Sequence, residues 1–250
     1  MQRISRIVSA ALAVLLLCGW TLSSHTQWQS PVGGASGTSS AISTTGDQLI
    51  VFDVSWYNQL GGSPTVSDSL SNTWTLIHSQ NNSGNTANNL YYCAQPCTVG
   101  GSQTFTVSGT QIYFSARITA WSGGATSSIF DVNGFNTSSA GATTMTPSAV
   151  TASQANSLYI TSIASDVTVT NAAQINSPFT VSDAQGNAQG GQGTGGAQAY
   201  YIESGGPTSQ NPTWSNMNPT GSGLAQANIA TFKPGAAAPT VKPLLFHSIP

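Results

Sequence analysis

The stretch Gln48–Tyr57, QLIVFDVSWY, is rich in β-branched and aromatic residues and has no helical periodicity. Two later stretches, Gln103–Ser108 (QTFTVS) and Gln111–Trp121 (QIYFSARITAW), alternate apolar and polar side chains, as half-buried β-strands do. Runs of Gly, Asn and Ser, such as NNSGN at 81–85, separate the candidate strands. These patterns predict an all-β protein.

Further stretches share this character. They are Trp74–His78, Asn89–Cys93, Thr143–Val150, Ser157–Ser165, Ala197–Glu203 and Ala225–Phe232. Many short strands with regular turns are typical of an antiparallel β-sandwich, and about 200 residues suffice for one large core of that class.

The N-terminus has the pattern of a secretory signal peptide. Met1–Arg6 is basic, and Ile7–Leu17 (IVSAALAVLLL) is an unbroken run of apolar and small residues. We predict a signal peptide over residues 1–28, cleaved between residues 19 and 28, with Ser24 as a candidate small residue before the cut. Lipid attachment at Cys18 is a weaker alternative, because Leu17 is not the small residue that such sites need. The protein is therefore expected to be secreted or at the cell surface.

The signal peptide leaves a β-sandwich domain over 29–234 and a tail over 235–250. The tail contains Pro239, Pro243 and Pro250 among small residues, which is typical of an extended linker. After residue 28, no apolar run approaches the length of a transmembrane helix.

The chain has few charged residues: five Lys+Arg, seven Asp+Glu and three His. Beyond the signal peptide only Arg117, Lys233 and Lys242 are basic, so the sequence argues against nucleic acid as a partner. Few titratable groups are available for proton transfer or metal binding, so the sequence also argues against an enzyme and against a cofactor.

Two cysteines remain beyond Cys18, namely Cys93 and Cys97 in YYCAQPC. An exported protein meets oxidising conditions, and an even number of closely spaced cysteines favours a disulfide. Free thiols remain an alternative. A metal site is not indicated, because no His or further Cys lies nearby in the sequence.

A weak internal repeat relates the two halves of the chain. Residues 46–51 resemble 155–160 at an offset of 109, and Leu90–Tyr92 resembles Ala199–Tyr201 at the same offset. VSD at 66–68 resembles VSD at 181–183, and the strand ending at Trp121 resembles the strand ending at Phe232. We predict two pseudo-repeated halves that form one domain.

Four segments resemble a β-sandwich module that recurs in exported bacterial and phage-associated proteins. They are VSDSLSNTWTLI (66–77), IYFSARITAWSG (112–123), IFDVNG (129–134) and ANIATFKP (227–234). The chain departs from the module's pattern at Leu70–Ser71, where a Gly is usual, and at Ala120, where an acidic residue is common. The resemblance implies a jelly-roll-like sandwich and assigns no activity.

The carboxylates are expected to have structural rather than catalytic roles. Asp68 and Asp183 are expected to cap turns, and calcium binding is the sharper alternative for both. Glycoside hydrolysis needs two carboxylates about 5–9.5 Å apart, and a pair of Glu203 with Asp166 or Asp183 is the remote candidate. His78 is expected to be a surface residue at a strand end.

Aromatic residues carry the functional hypothesis. Flat rings beside Asn and Gln side chains can stack on sugars, and Trp214, in NPTWSNMNP, is the best loop candidate. Trp56 and Tyr57 come next. We therefore expect a non-catalytic surface module that binds polysaccharide or a cell-surface glycan, with a self-associating structural component of an envelope, appendage or virion as the alternative.

Overall fold

A computed structural model describes residues 19–31, 34, 36–57, 63–81, 86–109, 113–138, 141–165, 173–187, 194–216 and 224–236. This part of the chain is all β, as predicted, and contains seventeen strands and no helix. No helix long and apolar enough to cross a membrane is therefore found among these residues.

The first half of the protein, residues 19–122, contains eight strands. These are β1 (Thr21–Gln29), β2 (Gly37–Thr38), β3 (Leu49–Tyr57), β4 (Thr65–Asp68), β5 (Thr75–Asn81), β6 (Thr86–Ala94), β7 (Phe105–Ser108) and β8 (Phe114–Ser122). They form a five-stranded antiparallel sheet in the order β1-β8-β3-β6-β5 and a three-stranded sheet in the order β2-β7-β4. β1 to β5 alternate between the two sheets, and β5 and β6 are neighbours in the large sheet.

The second half, residues 130–236, contains nine strands. These are β9 (Phe130–Thr137), β10 (Val150–Thr151), β11 (Leu158–Ser165), β12 (Gln174–Ile175), β13 (Thr180–Asn187), β14 (Thr194–Ile202), β15 (Ser209–Gln210), β16 (Trp214–Ser215) and β17 (Ala225–Phe232). Their five-stranded sheet has the order β9-β17-β11-β14-β13, and the short pairs β10-β15 and β12-β16 are separate small sheets.

The five-stranded sheets of the two halves have the same strand order, which confirms the predicted pseudo-repeat. Read across the sheets, β1, β8, β3, β6 and β5 correspond to β9, β17, β11, β14 and β13. The register agrees, because Trp121 lies opposite Leu49 in the first half and Phe232 lies opposite Leu158 in the second. Each half therefore contributes an equivalent five-stranded sheet, whereas the small sheets of the two halves differ.

Two details of the sequence repeat were wrong. VSD at 66–68 lies in β4 of the small sheet, whereas VSD at 181–183 lies in β13, an edge strand of the large sheet. Tyr200 lies opposite Ile160, the equivalent of Val51, and Val51 faces Tyr92. Tyr92 rather than Tyr91 is thus the counterpart of Tyr200.

The two five-stranded sheets pack face to face. β1 contacts β13, β5 contacts β9, and the central strands β3 and β11 contact each other. Since β1 is equivalent to β9 and β5 to β13, the arrangement has approximate twofold symmetry. The resulting sandwich has an outer layer from each half and a shared interior between the halves.

The shared interior is apolar at one end and polar at the other. Trp121, Leu158 and Phe232 lie in the apolar cluster. Two residues along β3 from Val51, the carboxylate of Asp53 accepts a 2.6 Å hydrogen bond from Nε of Arg117, and both side chains are fully buried. Burial raises the pKa of the Asp53 carboxyl, and the adjacent guanidinium opposes that shift.

β14 leaves space for the buried guanidinium. A Cβ atom on Gly196 would collide with both terminal nitrogens of Arg117 and with the hydroxyl of Ser55. That hydroxyl accepts a 2.6 Å hydrogen bond from Nη2 of Arg117. A glycine is therefore required where this strand crosses the ion pair.

The folded unit includes residues that the sequence assigned to the signal peptide. β1 pairs with β8 over its whole length, and Trp20 and Trp28 are buried. The proposed boundary between residues 28 and 29 therefore cuts through the end of β1. The apolar run Ile7–Leu17 and the tail from residue 237 lie outside the described residues.

The predicted strand Thr143–Val150 was largely wrong. Only Val150 belongs to a strand, β10, and Met145 forms an isolated bridge with Trp214.

Candidate functional site

The three aromatic residues predicted to bind a ligand are buried. Trp214 is 0% exposed, Trp56 is 1% exposed and Tyr57 is 7% exposed. These positions are a correction to the prediction, because a ring without accessible surface cannot stack on a sugar. The indole N–H of Trp214 instead donates a 3.1 Å hydrogen bond to Oγ1 of Thr161, so this tryptophan packs on the outer face of the second large sheet.

The predicted disulfide is present. The sulfur atoms of Cys93 and Cys97 are 2.02 Å apart, and the two Cα atoms are 5.7 Å apart. The bridge closes the turn that follows β6 and fixes the position of Gln95. Because the closed loop is short, its effect on the entropy of the unfolded chain is small, and its role is local.

Asp68 caps a turn, as predicted. Its Oδ1 accepts hydrogen bonds from the backbone N–H of Leu70 at 2.8 Å and from the side-chain amide of Asn72 at 3.2 Å, and its Oδ2 accepts one from the indole N–H of Trp74 at 2.9 Å. Ser71, rather than Asn72, has the left-handed backbone, with φ of 60°. Asp68, Asn72 and Trp74 are thus spaced so that their side chains hydrogen-bond within one turn.

Asp183 does not cap a turn. It lies within β13, and its two carboxylate oxygens are 3.0 and 3.1 Å from Nδ1 of His25 on β1. Burial raises the pKa of the Asp183 carboxyl, and His25 opposes this shift. The contact joins the edges of the two large sheets, and it places His25 inside the folded unit.

The described residues contain no group of three or more His, Cys, Asp and Glu side chains placed to hold a metal ion. Calcium at Asp68 or Asp183 would have to displace the donors that these carboxylates already bind. Glu203 is 3% exposed and accepts hydrogen bonds from the backbone N–H and the hydroxyl of Thr208 at 2.8 and 2.7 Å. Asp166 lies outside the described residues.

A groove lies along the segment that joins the two halves. Residues 125–129 run between β8 and β9 and have no counterpart in the repeat. On one side of this segment is a hollow of about 230 Å³, lined also by Thr73, Thr75, Tyr92 and Gln95. A second hollow also borders this segment, and we call the two hollows together the 125–129 groove.

The second hollow of the groove has a volume of about 600 Å³. Ala125, Ser127 and Ser128 line both hollows, and Gln154, Asn156 and Lys233 are among the other lining residues of the second. Residues 154–156 precede β11, and Lys233 follows β17, so this part belongs to the second half. The groove therefore extends from the first half of the protein to the second.

Trp20 supports this groove from below. A Cβ atom on Gly124 would lie 2.6 Å from both the Trp20 ring and Cδ1 of Ile129, so the backbone at Gly124 passes directly over these side chains. Trp20 is 5% exposed and belongs to the apolar cluster of the interior. The residue just before β1 thus helps to position the segment that forms the groove.

The chemistry of the groove is neutral and hydrogen-bonding. Hydroxyl groups of Thr and Ser and amides of Gln and Asn line it together with small apolar residues, and Lys233 is the one charged residue among the described residues that line the two hollows. Tyr92 adds a half-buried ring, stacked on Phe130 with centroids 5.7 Å apart. Such a lining can bind a ligand rich in hydroxyl groups.

Sequence reasoning did not find this groove. Its residues come from five separate segments of the chain and share no motif. The one available signal was SGGATSS at 122–128, the turn-rich segment where the repeat is interrupted.

Comparisons with protein-family models, with curated proteins and with solved structures found no match to this chain.

Proposed function

We propose that the protein is a secreted, non-catalytic surface module that binds carbohydrate in the 125–129 groove. The observation that carries this proposal is the lining of the groove, in which hydroxyls and amides from both halves and from the joining segment lie along the two hollows and the half-buried ring of Tyr92 borders the first. Sugars present hydroxyl groups at their edges and apolar C–H groups on their faces, and this lining offers partners for both.

Other small-molecule classes fit this groove less well. A lipid or another apolar ligand needs a predominantly apolar lining, and the groove has few large apolar side chains. A nucleotide or another polyphosphate needs several cations, and Lys233 is the only one among the described residues that line the groove. A carbohydrate needs neither.

Export of the protein is part of this proposal. It is supported by the signal-peptide pattern of residues 1–17 and, weakly, by the Cys93–Cys97 disulfide, since disulfides persist in oxidising compartments.

The experiment that tests the proposal is a screen of the purified protein against a glycan array and insoluble polysaccharides. Ser127 is exposed in the centre of the groove, so Ser127→Trp should block the groove without disturbing the core. Ser67→Trp makes the same change at an exposed position of β4 and is the matched control. We expect glycan binding by wild type and by Ser67→Trp, and at least a tenfold loss of affinity for Ser127→Trp.

The absence of binding to any glycan, or equal binding by both tryptophan variants, would overturn the proposal. Folding of each variant is checked by its thermal unfolding curve.

A second function, self-association as a structural component, is favoured by the edge formed by β5 and β9. Leu76 on β5 is 46% exposed and Phe135 on β9 is 47% exposed, and exposed apolar residues on edge strands are typical of association sites. Light scattering across a concentration series tests this candidate. A protein that stays monomeric at high concentration would exclude it.

A further inference from the structure

The position of Lys233 narrows the class of ligand. We infer that the glycan bound in the 125–129 groove carries a carboxylate, as a uronic acid does, and that this carboxylate binds Lys233 in the second hollow. This inference rests on the proposed carbohydrate binding and deepens it.

The first observation is the distribution of positive charge. Arg117 and Lys233 are the Lys and Arg residues of the described part, and Arg117 is fully buried against Asp53. Lys233 is therefore the one basic side chain of this kind that reaches the described surface, and it lies in the groove. On a chain with seven acidic residues, a single cation in the groove has a local effect on ligand choice.

The second observation is that Lys233 retains donors for a ligand. Its Nζ atom is 3.7 Å from Oδ1 of Asp131, which is beyond hydrogen-bond distance. Asp131 already accepts hydrogen bonds from the backbone N–H of Ser153 at 2.6 Å and from the Ser153 hydroxyl at 2.8 Å. The carboxylate of Asp131 is thus held by Ser153 and leaves the ammonium group able to bind an acceptor from the groove.

The third observation is partial burial. The side chain of Lys233 is 25% exposed, so it interacts with a nearby charge more strongly than a fully exposed lysine would. Asp131 offsets part of its charge, which favours a singly charged carboxylate over a doubly charged phosphate. Gln154 and Asn156 line the same hollow and can bind the hydroxyl groups of the same sugar.

Among the described residues that line the first hollow, none is charged. An oligosaccharide that spans both hollows would therefore place neutral units beside Tyr92 and Gln95, and its acidic unit beside Lys233.

The test compares acidic oligosaccharides with their methyl esters, which have nearly the same shape and no charge. The probes are hexamers of galacturonate, glucuronate and mannuronate, each as free acid and as methyl ester, measured by calorimetry at low and high salt. We expect at least one acid to bind about fivefold to tenfold more tightly than its ester, with a smaller difference at high salt.

Variants assign this preference to one residue. Lys233→Met should bind acid and ester equally, whereas Lys233→Arg should keep the preference. Lys242→Met removes the same charge from the C-terminal tail, outside the described residues, and should bind as wild type does.

The outcomes separate this inference from the proposed function. Equal binding of acid and ester by wild type, or a preference that survives in Lys233→Met, overturns the role of Lys233 and leaves a neutral-sugar site standing. If no glycan of any kind binds, neutral probes of the array included, the carbohydrate proposal fails together with it.

Discussion

The two halves of the protein share one strand order but place different chemistry at equivalent positions. The first half has the ion pair Asp53–Arg117 in the shared interior, where the second half has Ser162 and Asn228. The register equates His78 on β5 with Asp183 on β13. Symmetry therefore determines the scaffold, and the differences between the halves determine where polar groups are buried and where a groove forms.

The groove illustrates this difference most clearly. It follows residues 125–129, which join the halves and occur once, so the repeat gives it no counterpart. The polar side chains of the shared interior lie on strands of both halves but are buried, as Asp53, Arg117, Ser162 and Asn228 are. We therefore propose that ligands bind at residues 125–129, which join the halves. The buried polar residues of the interior have a structural role instead.

The largest effect is expected from the removal of β1. A chain that begins at Ser30 loses Trp20, Trp28 and the edge strand that pairs with β8. We expect this chain not to fold, because two buried indoles and a full strand cannot be replaced. A chain that begins at Gly19 is the control, and circular dichroism with thermal unfolding is the measurement. A stable, cooperatively folded chain from Ser30 would show that β1 is dispensable.

We expect signal-peptide cleavage to occur before β1 and to leave this strand intact. Cleavage of the predicted signal peptide before Trp20 retains Trp20 and all of β1, whereas cleavage after Ser24 removes Trp20 and the first four residues of β1. If the protein is exported as proposed, we expect its intact mass to correspond to an N-terminus at residues 18–20. An N-terminus after residue 24 would contradict the assignment of β1 to the mature fold.

The next largest effect is expected at the buried ion pair. Arg117→Met leaves the Asp53 carboxylate buried without its partner, and should lower the free energy of unfolding by about 3–5 kcal/mol. Addition of Asp53→Asn should recover part of this loss, because a neutral amide costs less to bury. Denaturant unfolding measures both. A double variant less stable than the single variant would contradict this account.

A smaller effect is expected at the glycine that faces this pair. Gly196→Ala should destabilise the protein by about 1–3 kcal/mol, since its Cβ overlaps the guanidinium of Arg117. In the Arg117→Met background the same change should cost less. Gly205→Ala is the matched control, because a Cβ there meets no atom within 4 Å. Equal losses at positions 196 and 205 would show that the guanidinium does not need this space.

The contact between the sheet edges at His78 and Phe135 should make the stability of the protein depend on pH. His78 stacks on Phe135 with ring centroids 4.0 Å apart, and burial lowers the pKa of His78 from 6.5, with Gln80 opposing the shift. A lowered pKa in the folded state means that the unfolded chain binds the proton more readily. The stability due to neutral His78 is thus complete above pH 6.5 and is lost as pH falls through the folded-state pKa.

We therefore expect the stability of wild type to fall below pH 6.5 more steeply than that of His78→Gln, measured by urea unfolding at several pH values. Parallel pH profiles of the two proteins would contradict the lowered pKa.

Much of the scaffold could be predicted from sequence, because burial on both faces leaves a strong pattern. β3, β8 and β17 are buried along nearly all their length, and all three were predicted. β1 was missed because TLSSHTQWQ is mostly polar and directly follows a signal-like run. Asp68, Asn72 and Trp74 lie close in sequence, so the turn capped by Asp68 could be predicted from the local sequence.

The site was not predictable in the same way. Trp214 lies between prolines in a loop-like sequence, yet pairing of β16 with β12 and a bridge to Met145 bury it. The groove is assembled from distant segments of small polar residues, whose individual positions carry no distinctive pattern. Only the packing of the two halves brings Gln95 and Lys233 to the same segment.

The most direct test of the central claim is nuclear magnetic resonance of the protein titrated with the best-bound glycan. The account predicts that amide shift changes concentrate in the groove, at residues such as Gln95, Ser127 and Asn156. Changes concentrated instead at the opposite end of the sandwich, around Tyr57, Thr86 and Ser165, would contradict it.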